Sequence, residues 1–133
     1  MITNDQAHAI IAAGEAQARS MGVPVNIAVL DAATHLTAFS RMDGAVLGAI
    51  DVALGKARTA ALFQAPSEAV WDYCKPGAPA PGLELSNGGL MTFPGGLPLI
   101  GADGTMIGAV GVSGGAVPQD LAIAQAAAAA ISN

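Results

Sequence analysis

An α+β sandwich, with a mostly antiparallel sheet of about five strands and helices on one or both faces, is the fold this chain predicts. Three observations carry it. A capping box opens an amphipathic helix near the N-terminus. Short runs of branched residues come in pairs joined by tight turns. After each pair an alanine-rich stretch with helical spacing returns.

Taken in order, Thr3-Asn4-Asp5-Gln6 is the capping box, and Ala7, Ile10, Ile11, Gly14, Ala18 and Met21 form the stripe of the first helix. Gly22 ends it and Pro24 forbids continuation. Val25 to Asp31 is a buried strand, and His35 to Arg41 is its hairpin partner across Asp31-Ala32-Ala33-Thr34. Asp43 is expected to cap a second helix reaching Phe63, with Val46, Ile50, Ala53, Ala57 and Ala60 inside and Lys56 at the stripe's edge. Pro66 stops that helix, and Ser67 is expected to cap a short third one to Tyr73. Lys75 to Gly82 reads as a surface loop. Leu83 to Phe93 is expected to bring the chain back into the sheet through Asn87-Gly88-Gly89.

The stretch from Gly88 to Gly115 organises the rest. Ala102-Asp103-Gly104-Thr105 predicts a two-residue type I′ turn between two strands. Gly108 and Gly111 strip side chains from the second strand, which implies a helix, a backbone or a ligand in close approach. Pro118 starts a last helix, nearly all alanine, that runs to Ile131 with Asp120 in its first turn.

The 133 residues are expected to form a single domain, 1–133. Hydrophobic residues make up 53% and charged ones only 11%, against roughly 25% in an average domain. So little charge would leave much apolar surface in water, and a homo-oligomer is the economical expectation. No apolar run is long enough for a membrane span, and no export signal is visible, so a cytoplasmic location is expected. A net charge of −5 argues against nucleic acid. The single cysteine, Cys74, excludes an intrachain disulfide and has no adjacent base in sequence.

No dinucleotide or phosphate-loop motif is present. Ser113 sits in G-x-S-G-G rather than a nucleophile elbow, and neither histidine follows it. His8 and His35 are too few for a three-histidine zinc site, but one imidazole is enough to hold a haem iron. Arg41, Asp43 and Lys56 group in a chain with only five basic residues and mark a place to look for an anion. An Arg41–Asp43 or Arg41–Asp31 brace explains the arginine equally. Glu84 and Asn87 precede the glycine stretch, and Phe93, Gly95 and Gly96 enter it, so all five could face one cleft. If the chain is an enzyme, Asp43 and Glu84 are the proton carriers and Arg41 or Lys56 the anion holder.

Taken together, Val29-Leu30-Asp31, Phe39-Ser40-Arg41-Met42-Asp43-Gly44-Ala45, Ile50-Asp51-Val52-Ala53, Lys56-Ala57-Arg58-Thr59-Ala60, Asn87-Gly88-Gly89-Leu90, Phe93 to Leu99 and Ile107 to Gly115 resemble the GlcG/HbpS haem-binding-like family. That family includes the C-terminal domain of PduO-type proteins. The resemblance implies a profilin-like sandwich, symmetric oligomers and, for some members, haem or a related tetrapyrrole as ligand, with haem degradation or redox sensing in some cases. His8 is then the first choice of iron ligand and His35 the second; no other metal is implied. The chain departs from the family at Ala32-Ala33-Thr34-His35, where a glycine usually precedes the equivalent of Leu36. Three functions follow: a small-ligand (haem) binding module, a cofactor-independent enzyme on a small acid or ketone, and a structural accessory subunit.

Overall fold

Thr3 Oγ1 accepts from Gln6 N at 3.1 Å and Gln6 Oε1 accepts from Thr3 N at 2.9 Å, so the capping box opens helix α1, Asn4–Met21. These observations come from a computed structural model that describes residues 1–132. Gly22, at φ 68°, closes α1 in the left-handed conformation that glycine tolerates. Strands β1 (Asn26–Asp31) and β2 (Leu36–Arg41) follow, then α2 (Ala49–Phe63) and α3 (Ser67–Cys74). A 3₁₀ turn at Leu83–Leu85, strands β3 (Gly96–Ile100) and β4 (Met106–Ser113), and helix α4 (Val117–Ala129) complete the order.

The strands form one antiparallel sheet of four in the order β2-β1-β4-β3. The fifth strand expected from Leu83–Phe93 does not form. That stretch holds the 3₁₀ turn and then Asn87, Gly88 and Gly89 at φ 55°, 75° and 104°, a run of left-handed backbone that no strand can contain. Pro98 sits within β3, where an edge position accommodates its missing N–H.

Both hairpins use one turn. Asp31 N donates to His35 O and Thr34 N to Asp31 O; likewise Gly101 N donates to Thr105 O and Gly104 N to Gly101 O. Asp31 Oδ1 and Asp103 Oδ1 each accept from the backbone N–H two residues on. The left-handed position falls on Gly104 (φ 85°) in one and Thr34 (φ 71°) in the other. The expected type I′ turn is therefore corrected: Asp103 keeps an ordinary φ, and only Gly104 is left-handed.

The two faces of the sheet are unlike. Ile27 and Val29 of β1, Val110 and Val112 of β4 and Leu99 of β3 pack with Ile10, Ile11, Ile123, Ala124 and Ala127 of α1 and α4. Opposite them, Ala28, Gly111 and Gly96 pair across three strands in one row. A Cβ added to Gly111 would strike Ala53 O and Ala57 N, and one on Gly96 would strike Lys56 O. The backbone of α2 thus lies on bare sheet, with Ala53 and Ala57 fully buried. Close approach by a helix is the reason for Gly111.

Two helix starts differ from expectation. Asp43 does not cap α2: Gly44 turns at φ 85°, and the helix begins six residues after Asp43 at Ala49. Ser67 lies inside α3 rather than capping it, because its hydroxyl is engaged elsewhere.

Candidate functional site

Lys56 lies on the sheet-facing side of α2, and none of its surface is exposed. Its side chain passes Gly95, where an added Cβ would stand 2.7 Å from Nζ, and so leaves the α2 layer at the end of the sheet. There Nζ donates to Val112 O at 2.9 Å and to Asp120 Oδ2 at 3.2 Å. Asp120, in the first turn of α4 and 2% exposed, also accepts from Gly115 N through Oδ1 at 2.9 Å. Nζ stands 4.7 Å from the centroid of the Phe93 ring. Burial pushes this ammonium below the ordinary lysine value, and the Asp120 carboxylate, with a smaller pull from Glu68, draws it part of the way back.

Around this pair the loop before β3 is fixed by a hydroxyl. Ser67 Oγ donates to Phe93 O at 2.7 Å and accepts from Gly96 N at 3.0 Å, and Ser67 is fully buried. Phe93, 38% exposed, therefore has a closed side toward Lys56 and an open one. On the open side a cavity of about 320 Å³ is lined by Glu68, Trp71, Thr92, Phe93 and Pro94.

The predicted residues divide among several places. Arg41 and Asp43 line a different cavity, of about 290 Å³, with Glu15, Arg19 and Met42. Among the described residues neither forms an ion pair, so the proposed Arg41 braces are absent. The grouping of Arg41, Asp43 and Lys56 is corrected: the lysine is sealed against a protein carboxylate and holds no open face to an anion. Asn87 is exposed, and its carbonyl accepts from Arg58 Nη1. Glu84 lies in the 3₁₀ turn with Oε1 buried and no donor among the described residues. Gly95 and Gly96 serve the passage of Lys56 and the seat of α2. His8 is exposed on α1; His35, also exposed, has Nδ1 3.4 Å from Asp31 Oδ2.

Sequence reasoning missed Asp120 as the partner of Lys56, Ser67 as the clamp and Glu68 with Trp71 as cavity walls. One signal was available. In a chain with so few charges, a carboxylate just after Gly114-Gly115 is conspicuous, and a buried lysine needs one.

With helices on both faces of one antiparallel sheet, the chain is a small three-layered α+β domain. The chain is a member of the haem-degrading protein HbpS-like family, which matches residues 2–129. An uncharacterised 15.0 kDa protein from the dhaT-dhaS intergenic region of Citrobacter freundii is 40% identical over 95% of this chain and 89% of its own length. The corrinoid adenosyltransferase PduO of Salmonella typhimurium is 39% identical over 93% of the chain, which spans only 37% of that longer protein. The crystal structure of a PduOC–haem complex superposes with a TM-score of 0.91 at 37% identity, covering 98% of this chain and 94% of the other.

Proposed function

We propose that this chain binds haem or a related tetrapyrrole on the outer face of α1, with His8 as the iron ligand. The likeness to the PduOC–haem structure carries the reading. The chain's own residues fit it in three respects. His8, Ala12, Glu15 and Arg19 follow one another at spacings of four, three and four and so share one face of α1. His8, Ala12 and Arg19 are exposed, which leaves an imidazole beside a small, flat side chain. At the far end, the cavity that Arg19 shares with Arg41 is also lined by Glu15 and Asp43; Arg19 stands beside Glu15, and Arg41, without an ion-pair partner among the described residues, is the guanidinium left for a carboxylate such as a propionate.

The described cavities, about 240 to 340 Å³ each, are too small to enclose a macrocycle, so the group would lie on a surface and be covered by another copy. A homo-oligomer is part of the proposal, and exposed Leu47, Tyr73 and Leu85 support it. Haem, when bound, would supply the redox and oxygen chemistry of its iron; His8 would hold that iron and Arg41 a propionate. His35 is the second candidate: Asp31 beside Nδ1 would orient the ring and leave Nε2 for iron. No described helix is long and apolar enough to cross a membrane.

Titration of the purified protein with haemin tests the reading. A saturable Soret shift is expected, lost in His8→Ala and weakened in Arg41→Ala. A flat titration would overturn it, and loss in His35→Ala alone would move the ligand to His35. Gel-filtration mass with light scattering tests the assembly; a monomer mass would refute it.

A further inference from the structure

The cavity between α3 and the loop before β3 has no role in the reading above, which uses the outer face of α1. It has an unusual chemistry for a chain this poor in charge. Glu68 lines it, and Glu68 Oε2 is buried without a donor among the described residues. A buried carboxylate oxygen with no donor is costly, so the oxygen is a vacant acceptor. Trp71 and Phe93, 43% and 38% exposed, supply aromatic surface to the same space.

Charge in the neighbourhood points the same way. Lys56 is the cation of this region, and its ammonium is already committed to Asp120 Oδ2 and Val112 O. One ammonium set against two carboxylates, Asp120 and Glu68, leaves one negative charge in excess. A monocation balances it. Aromatic faces attract cations but do not attract carboxylates, and a cationic amine brings the Glu68 carboxylate both a hydrogen-bond donor and a countercharge. At about 320 Å³ the space suits a small organic molecule.

We propose that the cavity lined by Glu68, Trp71 and Phe93 binds a small protonated primary amine, its ammonium on the Glu68 carboxylate and its alkyl part against the two rings. This inverts the anion expected near Lys56: the lysine has been neutralised from within, and the adjoining opening is left wanting positive charge.

Trp71 is the only tryptophan, so its fluorescence reports this cavity directly. The full chain titrated with n-butylammonium chloride, at constant ionic strength, is expected to give a saturable change in Trp71 emission. 1-Butanol and butyrate, matched in size, should bind at least about tenfold more weakly, the discrimination expected when a charged hydrogen bond is lost. Glu68→Gln keeps the shape and should lower butylammonium affinity by about the same factor. If that variant does not fold by circular dichroism, Trp71→Leu read by calorimetry serves instead, with a several-fold loss expected. Equal binding of 1-butanol, undiminished binding in Glu68→Gln or Trp71→Leu, or no saturation with butylammonium would overturn the proposal.

Discussion

Lys56 Nζ and Asp120 Oδ2, 64 positions apart in the chain, meet at 3.2 Å in the interior and tie α2 to α4 around the end of the sheet. Removing one partner leaves the other charge buried and alone. Lys56→Met should therefore destabilise the fold by about 3–5 kcal/mol, while the double replacement Lys56→Met/Asp120→Leu should recover much of the loss. Urea denaturation of the three proteins decides it; a double variant no better than Lys56→Met would refute the pairing argument.

The same lysine sets a pH dependence. Its folded pKa is below its unfolded value of 10.5, so the folded state binds fewer protons in the window beneath 10.5. Stability from this group rises as pH climbs through that window and levels off above it. The gap in stability between the native chain and Lys56→Met should widen from neutral pH toward 10.5, measured by urea midpoints at each pH. A gap that narrows would contradict the direction.

Asp31 and Asp103 give the opposite limb. Their turn hydrogen bonds hold both carboxyls below the ordinary 3.8. The stability they add is present above pH 3.8 and is lost as pH falls through their folded values. Acid unfolding of Asp103→Asn should be less steep below that pH, followed by circular dichroism.

Two glycines separate packing from flexibility. Gly111→Ala forces a methyl into the backbone of α2 and should cost about 1–3 kcal/mol or more. At Gly48, an added Cβ meets nothing within 4 Å and the backbone is already helical, at φ −60°. Gly48→Ala should therefore be neutral or stabilising by about 0.4–1 kcal/mol. Thermal midpoints of the pair test this; equal effects would exclude the close approach as the reason for Gly111.

At Thr34 a β-branched residue holds φ 71°, the place Gly104 takes in the other hairpin. Thr34→Gly should relieve strain and stabilise by about 1 kcal/mol. Denaturant midpoints would reveal it, and a loss of stability would show that the threonine side chain contributes more than its strain.

Local signals were legible and long-range ones were not. The α1 capping box, Gly22 and the β1–β2 hairpin are each determined by residues within a few positions of one another, and they form where the sequence placed them. Asp43 carried a helix-cap residue type, but Gly44 at φ 85° turns the chain away first. Lys56 was read as an anion holder because a lysine at the edge of an alanine stripe looks the same whether its carboxylate belongs to a ligand or to a distant helix. The Glu68–Trp71 cavity was invisible for a related reason: Ser67 builds it by clamping Phe93 and Gly96, a contact across 26 and 29 positions that no local pattern encodes.

Pro98 makes the two rims of the sheet unequal. A strand arriving beside β3 would find one amide missing from the row it must join, whereas β2 offers every residue from Leu36 to Arg41 with its amide intact. Any lengthening of this sheet, by a peptide or by the rim of another molecule, finds an unbroken template only along β2, and that is where a fifth strand would have to be recruited.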